Sequence, residues 1–419
     1  MRTRNDTKKR AKLLIDMKKI LFYMMTASIV LTGACEKEEE KVAVAGVTLE
    51  PTTSATLTVG ETLLLTAIVT PDNATDKTIT WESSNKDVAV VNDGFVAGLS
   101  SGIATITATT QDGSKTATCT VSVNWSTTPK QMTMTTEILE VSISIYGFDE
   151  VNIDWGDGTE IETHTFLDNR FAHIGHNYSI ASVHTITITG KNITHLNCTN
   201  MQLTNLNVRG NTALVELNCA GNQLTELDVS KNTVLKSLSC VGNQLKKLDV
   251  SHNFVLSSLY CNINQLTELD ISKNTALFTL YCINNQLTEL DVSNNTELYI
   301  LQCFDNKLTK LKFGNNHRLQ DVLCHNNQLS DLDISNNTAL WTLSCFNNII
   351  TSLDLSKNTD LHYVYCQSNK LSNKALNDLF KTLHSKIADK TIFIGDNPGT
   401  DTCDQTIATK KGWKIDIDL

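Results

Sequence analysis

From position 198 to position 366 a cysteine falls every 21 residues, at 198, 219, 240, 261, 282, 303, 324, 345 and 366. A fixed period of this length describes units that bury their apolar faces only against each other, which is a solenoid. Between about 193 and 371 the repeat reads L-x-x-L-x-C-x-x-N-Q-L-T-x-L-D-V-S-x-N-T-x. Its two halves, "LVELNCAGN" (214–222) and "LTELDVSKN" (224–232), share one template, L-x-x-L-x-h-x-x-N, in which h is apolar. In one half h is Cys; in the other it is Val229, Val250, Ile271, Val292, Phe313, Ile334 or Leu355. A slot that takes Cys where its twin takes Val or Ile faces inward, and Cys fills it as a small, soft, apolar side chain.

Geometry supports that assignment. Equivalent side chains on stacked strands lie about 4.8 Å apart along a line. A disulfide wants Cβ atoms about 3.8 Å apart, and zinc wants ligands converging on a point. The thiols are expected to form a buried, unreactive ladder, with scattered disulfides in an oxidising compartment as the alternative. Asn222 and Asn232, with their equivalents in later repeats, fall where the chain must turn. Asn tolerates the left-handed conformation and satisfies turn backbone, so both columns are expected to be buried ladders. The Asn-x-Thr/Ser triplets they create carry no glycosylation meaning.

The two halves differ in what they expose. On the Val half the outward sites are monotonous, with Asp228, Asp249, Asp270, Asp291, Asp333 and Asp354 in one column and Lys312 as the interruption. These carboxylates are expected to bond neighbouring backbone or hydroxyl groups; a row of cations is the alternative. On the Cys half the outward sites vary from coil to coil. A face that only folds can repeat itself, whereas one that meets a partner differs along its length, and Tyr and Phe are the usual anchors. The binding face is therefore placed on the Cys-half sheet, around Tyr260, Tyr281, Phe304, Phe346, Tyr363 and Tyr365. The competing view is that these aromatics merely suit strands.

The repeat resembles the leucine-rich repeats, and among them the nested class called IRREKO, over about eight and a half repeats. That resemblance implies a right-handed solenoid with parallel sheets, roughly 40 Å long at one strand spacing per coil. Residues 372–419 are expected to cap it, as a small α/β unit. There "LSNKALNDLFKTLHSK" sets Ala375, Leu376, Leu379, Phe380 and Leu383 on one helical face behind Ser372 as N-cap, and Cys403 is read as structural.

Before the repeats, residues 44–124 alternate short Thr/Val/Ile-rich runs with turns at Gly60, Pro71-Asp72-Asn73, Asp93-Gly94 and Asp112-Gly113, which predicts about seven strands in a β-sandwich. The phrases "VTLEPTTSATLTVGET", "TPDNATDKTITWESSNKDVAVV" and "GIATITATTQDGSKTATCTVSV" resemble the bacterial immunoglobulin-like group 2 family, which implies a surface-displayed spacer. Cys119 alternates with Val121 and Val123 and is read as a core thiol. Residues 125–192 contain "WGDGT" and "HNY", resembling a trimmed polycystic-kidney-disease-type (PKD-type) domain, expected to stack its last strand on the first repeat. Asp154, Asp157 and Glu160 could suggest calcium, but a D-G hairpin turn accounts for Asp157-Gly158. His164, His173, His176 and His184 lack zinc spacing.

The N-terminus reads as targeting. Lys18-Lys19 leads into "ILFYMMTASIVLTGA", 15 uncharged residues ending at Cys35, too short for a comfortable membrane span and shaped like a signal peptide over 1–34, with Met17 the expected start. "LTGAC" resembles a bacterial lipobox, although Thr32 stands where Leu is usual; the resemblance implies lipidation of Cys35. Residues 35–43, with "EKEEEK", form an acidic tether similar to those of surface-exposed outer-membrane lipoproteins. A net charge of −10 argues against nucleic acid. No P-loop, H-E-x-x-H, C-x-x-C or G-x-G-x-x-G motif is present, so no enzyme, metal site or cofactor is expected. The chain reads as mainly β: an Ig-like sandwich followed by a leucine-rich-repeat solenoid, a non-catalytic surface lipoprotein that binds protein or mediates adhesion. A glycan-binding lipoprotein of a polysaccharide uptake system is the alternative.

Overall fold

The computed structural model describes residues 41–166, 172–386 and 389–417. The first module consists of β1 (Gly46–Glu50), β2 (Ser54–Thr58), β3 (Thr62–Leu64), β4 (Thr66–Thr70), β5 (Ile79–Ser83), β6 (Ala89–Asn92), β7 (Phe95–Gly98), β8 (Gly102–Thr110) and β9 (Thr116–Asn124). Nine strands replace the expected seven for two local reasons. Leu65, buried and bonded through its N–H to Gly94 O, splits one Thr/Leu-rich run into β3 and β4. Asp93 and Gly94, with φ of 48° and 82°, form a tight hairpin turn that splits another run into β6 and β7. The sheets β2-β9-β8-β5 and β3-β7-β6 close over Leu57, Val59, Ile106, Val121 and the thiol of Cys119.

Next come β10 (Lys130–Thr136), β11 (Glu140–Asp154), β12 (Glu162–Phe166), β13 (Ala172–Asn177) and β14 (His184–Asn197). The long strand β11 pairs antiparallel with β12, β13 and β14. β14 runs on into the solenoid: His195, Leu196 and Asn197 pair in parallel with Glu216, Leu217 and Asn218. β15 (Asn205–Asn207) folds back onto β10. This unit therefore covers the open N-terminal end of the repeats.

The coils follow as β16 (Glu216–Asn218), β17 (Ser237–Ser239), β18 (Ser258–Tyr260), β19 (Thr279–Tyr281), β20 (Glu289–Asp291), β21 (Ile300–Gln302), β22 (Lys310–Lys312), β23 (Asp321–Leu323), β24 (Thr342–Ser344) and β25 (Tyr363–Tyr365). The Cys halves build one continuous parallel sheet in strict 21-residue register, Leu217 beside Leu238 beside Leu259. Among the described residues, the Val halves pair as a ladder only at β20 and β22. Leu, Cys and Val or Ile from both halves fill a single interior.

Two Asn columns hold the coils together. Asn243 Nδ2 donates to Cys219 O and Cys240 O, both at 3.0 Å, and its Oδ1 accepts from Leu224 N at 3.0 Å. Each amide thus bridges two coils. The left-handed residue is not this Asn but the one before it: Gly221, Gly242, Ile263, Asn284, Asp305, Asn326, Asn347 and Ser368 all have positive φ. The buried Asn serves as a hydrogen-bonding spacer, and its neighbour makes the turn. In the second column Asn253 Nδ2 donates to Val229 O at 3.0 Å and Asn232 O at 2.8 Å.

The C-terminal end continues the same grammar. Helix α1 (Asn373–Thr382) starts where Ser372 Oγ accepts from Ala375 N at 3.2 Å, and it buries Leu376, Leu379 and Phe380. β26 (Lys390–Phe393), α2 (Thr406–Thr409) and β27 (Trp413–Asp416) complete the cap. "TIFIGDN" is a further rung. Ile394 stands in the Cys slot, and Asn397 donates to Cys366 O at 2.9 Å and Ile394 O at 3.0 Å. Lys390 is buried, with Nζ donating to Lys411 O at 2.8 Å and lying 5.5 Å from the Trp413 ring centroid.

The Ig-like module does not stand apart as the spacer the sequence suggests; it lies on the side of the first coils. Ala97 packs against Val234 and Phe254, with Val90, Leu99, Val215 and Val255 around them, and Ala213 from the solenoid joins the sandwich core. Thr233 Oγ1 donates to Gly60 O at 2.9 Å, and Asn92 Nδ2 to Lys273 O at 3.4 Å. At Gly60, φ is 84° and a Cβ would stand 1.9 Å from Thr212 O, so only glycine permits this approach. Gly60→Ala is expected to unseat the module. Small-angle scattering should show an increased radius of gyration, and hydrogen exchange should rise at Ala97; an unchanged profile refutes the docking.

Candidate binding face

The outer face of the parallel sheet is built by alternation. In each strand the central Leu or Val points in, as does the following Cys, so the residues on either side of each point out. The six aromatics chosen from sequence all lie on this face but are half-buried rather than fully exposed. The reason is that their rings rest on neighbouring coils. Tyr260 meets Tyr281 edge-on at 5.2 Å and 87°. Phe304 and Phe346 sandwich His325 at 4.3 and 4.2 Å, within 14° and 11° of parallel. Tyr365 stacks on Phe393 at 4.5 Å, and Tyr363 meets Trp341 edge-on at 5.7 Å. The structure therefore gathers the six into separate groups along the sheet, not one patch.

Between the aromatic groups the face changes character. Near its N-terminal end a hollow of 330 Å³ is lined by His195, Asn197, Glu216, Asn218, Ser237, Ser239 and Tyr260, polar groups beside one ring. Burial lowers the His325 pKa from its ordinary value against the pull of Asp305, and Ser344 Oγ lies 3.1 Å from its Nδ1. Burial, then Tyr260 and Asp321, raises the Tyr281 hydroxyl.

Several residues escaped the sequence reading. The position just before each strand carries Phe278, Tyr299, Gln320, Trp341 and His362, with Phe278 stacked on Tyr299 at 5.0 Å and 5° and Trp341 against His362 at 4.9 Å. Comparing that column coil by coil would have found it. Ile263 occupies the left-handed slot, at φ 54°, where other coils place Gly, Asn, Asp or Ser, and it is 54% exposed. A β-branched side chain is strained there and buries little in return.

The other candidates resolve as structure. Asp228 Oδ1 accepts from Ser230 N at 2.9 Å, and Asp249, Asp270, Asp291, Asp333 and Asp354 repeat the bond with the Ser two residues on. Hydrogen bonds from Ser230 hold the Asp228 carboxyl below its ordinary value. Pairs such as Arg209–Asp228 at 2.6 Å and Lys310–Glu289 at 2.7 Å cross from coil to coil, and being exposed they contribute little. Asp157 accepts from Thr159 N at 3.0 Å and lies 2.7 Å from His176 Nε2, whose ring stacks on Trp155 at 4.8 Å. Hydrogen bonds from Thr159 hold Asp157 far below the usual carboxylate range. Among the described residues no cluster of three or more His, Cys, Asp or Glu side chains could hold a metal ion. "GLSSG" at 98–102 spells G-x-S-x-G, but it joins two strands rather than a strand and a helix, and Ser100 Oγ is committed to Asp87 O at 2.6 Å. Cys35 lies outside the described residues.

The nine spaced thiols are free and buried. Cys219 and Cys261 Sγ each donate to a carbonyl of the next coil at 3.5 Å. Burial pushes Cys198, Cys240, Cys282 and Cys345 up to about 12. For Cys219, Cys261, Cys303, Cys324 and Cys366 burial comes first, then the neighbouring thiols.

Residues 43–121 match the model of the bacterial Ig-like domain (group 2) family. An Ig-like virion protein of Serratia phage KSP90 is 49% identical over 85 residues, 20% of this chain and 33% of that protein. A 3-O-alpha-D-galactosyl-alpha-L-arabinofuranosidase of Bifidobacterium longum subsp. longum is 43% identical over 91 residues, 22% of this chain and 8% of the enzyme. The chain thus spans a third or less of the length of these two relatives. Among solved structures, the functional domain of InlJ from Listeria monocytogenes, described as including a cysteine ladder, is 37% identical, covers 53% of this chain and 49% of that one, with a TM-score of 0.47. YopM from Yersinia enterocolitica WA-314 is 20% identical, with 49% and 42% covered and a TM-score of 0.37.

Two outcomes are expected. The folded chain keeps thiol protons that the unfolded chain loses, so their contribution is full below the ordinary thiol value of 9.0 and is lost as pH rises toward about 12. Melting temperature should fall over that range while thiol reagents label the nine only on unfolding. Ile263→Asn should stabilise by about 0.5–1 kcal/mol in urea melts, because Asn suits the left-handed slot. The chain carries a bacterial Ig-like module of group 2 at its N-terminal end, seated on leucine-rich coils.

Proposed function

We propose that the protein is a surface-displayed bacterial binding protein without catalytic chemistry of its own, and that the outer face of the parallel sheet is its contact surface for a protein ligand. One observation carries this reading: inward columns of Leu, Cys and Asn repeat almost unchanged, while the outward positions flanking Cys change in size and chemistry along the array, from Asn218 and Ser239 through Tyr260 and Tyr281 to Leu323. The aromatic groups supply anchors of the kind that concentrate interface energy. Display through a lipid on Cys35 in the outer membrane, with the acidic segment as tether, is part of the same proposal and rests on the "LTGAC" sequence. Adhesion is the role such an arrangement suits.

Ring orientation favours protein over glycan. Sugars stack on aromatic faces, and in the Phe304, His325 and Phe346 column and in the Tyr365 and Phe393 pair those faces are spent on each other. Their edges meet a ligand, which suits apolar side chains. A glycan reading is favoured at one place only, the polar hollow beside Tyr260, whose edge-on contact with Tyr281 leaves ring surface open.

The test is Tyr260→Ala, Tyr281→Ala and Tyr365→Ala in one chain, probed against arrays of extracellular-matrix proteins and of glycans. Loss of protein binding by tenfold or more is expected. Unchanged protein binding by a variant with the original melting temperature overturns the assignment, and loss of glycan binding alone transfers it to the hollow.

A further inference from the structure

The Ig-like module meets the solenoid through the outward face of its three-stranded sheet β3-β7-β6. Leu63, Val91 and Val96 point into the sandwich, so Val90, Asn92, Phe95, Ala97 and Leu64 point the other way. The half of this face carrying Val90 and Ala97 is pressed onto Val234 and Phe254. The other half is bare. Leu64 and Phe95, directly paired across β3 and β7, are 49% and 48% exposed. A cross-strand pair of large apolar side chains with half of its surface open to solvent is a docking surface left half used.

The solenoid side shows the matching feature. The residue before each strand forms a column down one flank. In the first coils this column is Val215, packed beneath the module, then Lys236 and Ser257, which line the cleft at the module's edge with Val90, Val91 and Asn92. In the coils beyond the module the same column carries two exposed aromatics, Phe278 at 40% and Trp341 at 43%, with half-buried Tyr299 and Gln320 between them. Phe278 follows directly on the coil whose Lys273 carbonyl accepts from Asn92 and whose Nζ lies 3.9 Å from Asp93. The bare row is thus continuous with an interface that already holds an Ig-like module.

We propose that this flank, from Phe278 to Trp341, takes the exposed Leu64 and Phe95 edge of the Ig-like module of a second copy of the chain. In cis that module is seated from Thr212 to Lys273, so its bare half meets the aromatic row only on another molecule. Unlike surfaces meet, so the contact is head-to-tail and propagates into a row unless rotation closes it. With only a few large side chains in contact the association is weak and depends on concentration. Because each copy carries a net charge of −10, added salt strengthens it by screening self-repulsion. The flank borders the sheet face, Trp341 meeting Tyr363 edge-on at 5.7 Å, but the proposal stands independently of the ligand proposed there.

The test uses the chain from residue 41 onward, which contains both modules and their seam, in sedimentation velocity and light scattering over a concentration series. Weight-average mass is expected to rise with concentration, and further with salt. Phe95→Asp and Trp341→Asp should each remain monomeric, while their equimolar mixture should form a one-to-one dimer, since each keeps the half the other lacks. Leu64→Lys and Phe278→Lys provide a second donor and acceptor pair should either first variant melt early. A wild-type chain that stays monomeric throughout overturns the proposal. So does self-association that survives both substitutions, or a mixture that fails to pair while the wild type associates.

Discussion

Everything in the solenoid depends on a side-chain amide that belongs to two coils at once. A single 21-residue coil has too few apolar residues to bury its backbone polar groups, and those must find partners. The Asn of the Cys half meets that demand: Asn264 donates to Cys240 O at 2.9 Å and Cys261 O at 3.2 Å while accepting from Leu245 N. An inserted or deleted residue between rungs would leave three buried groups unpaired per coil, at about 1–3 kcal/mol each. Register, sheet continuity and the alignment of the outer face all follow from that constraint. The second column is less complete. Most of its amides donate twice, as Asn253 and Asn274 do, but the Oδ1 atoms of Asn232, Asn253, Asn274 and their equivalents have no protein donor.

The cysteines fit the same interior. Where the twin half carries Val, Ile, Leu or even Phe313, the Cys half carries Cys in all nine rungs from Cys198 to Cys366 and gives way to Ile394 only in the cap, and its Sγ reaches a carbonyl of the next coil in several rungs. A thiol is small enough to sit behind the strand and polar enough to offer a weak hydrogen bond there. Such a side chain is buried, and burial holds it in the protonated form.

Much of this was legible because periodicity writes burial directly into sequence. The thiol ladder, both Asn columns and the capping helix behind Ser372 could be read from spacing alone. What could not be read lacks a period. The seat of the Ig-like module on the coils rests on Gly60, which in sequence is only a turn glycine. The last rung was hidden because α1 intervenes between Cys366 and Ile394, breaking the 21-residue count. The left-handed turn was misplaced by one residue, since both positions are rich in Asn. The candidate face is partly legible: the columns flanking Cys point to Tyr260 and Phe304, whereas Phe278 and Trp341 stand just before their strands, at a position the repeat template leaves free.

The seating of the Ig-like module also bears on force. A tether leaving the N-terminal module would pull on a body clamped across several coils, from Thr212 to Lys273, rather than on the end of a ladder. Tension from a ligand held on the sheet would be shared as shear over that seam. No single Asn rung would be loaded in peeling, the direction in which stacked coils are weakest.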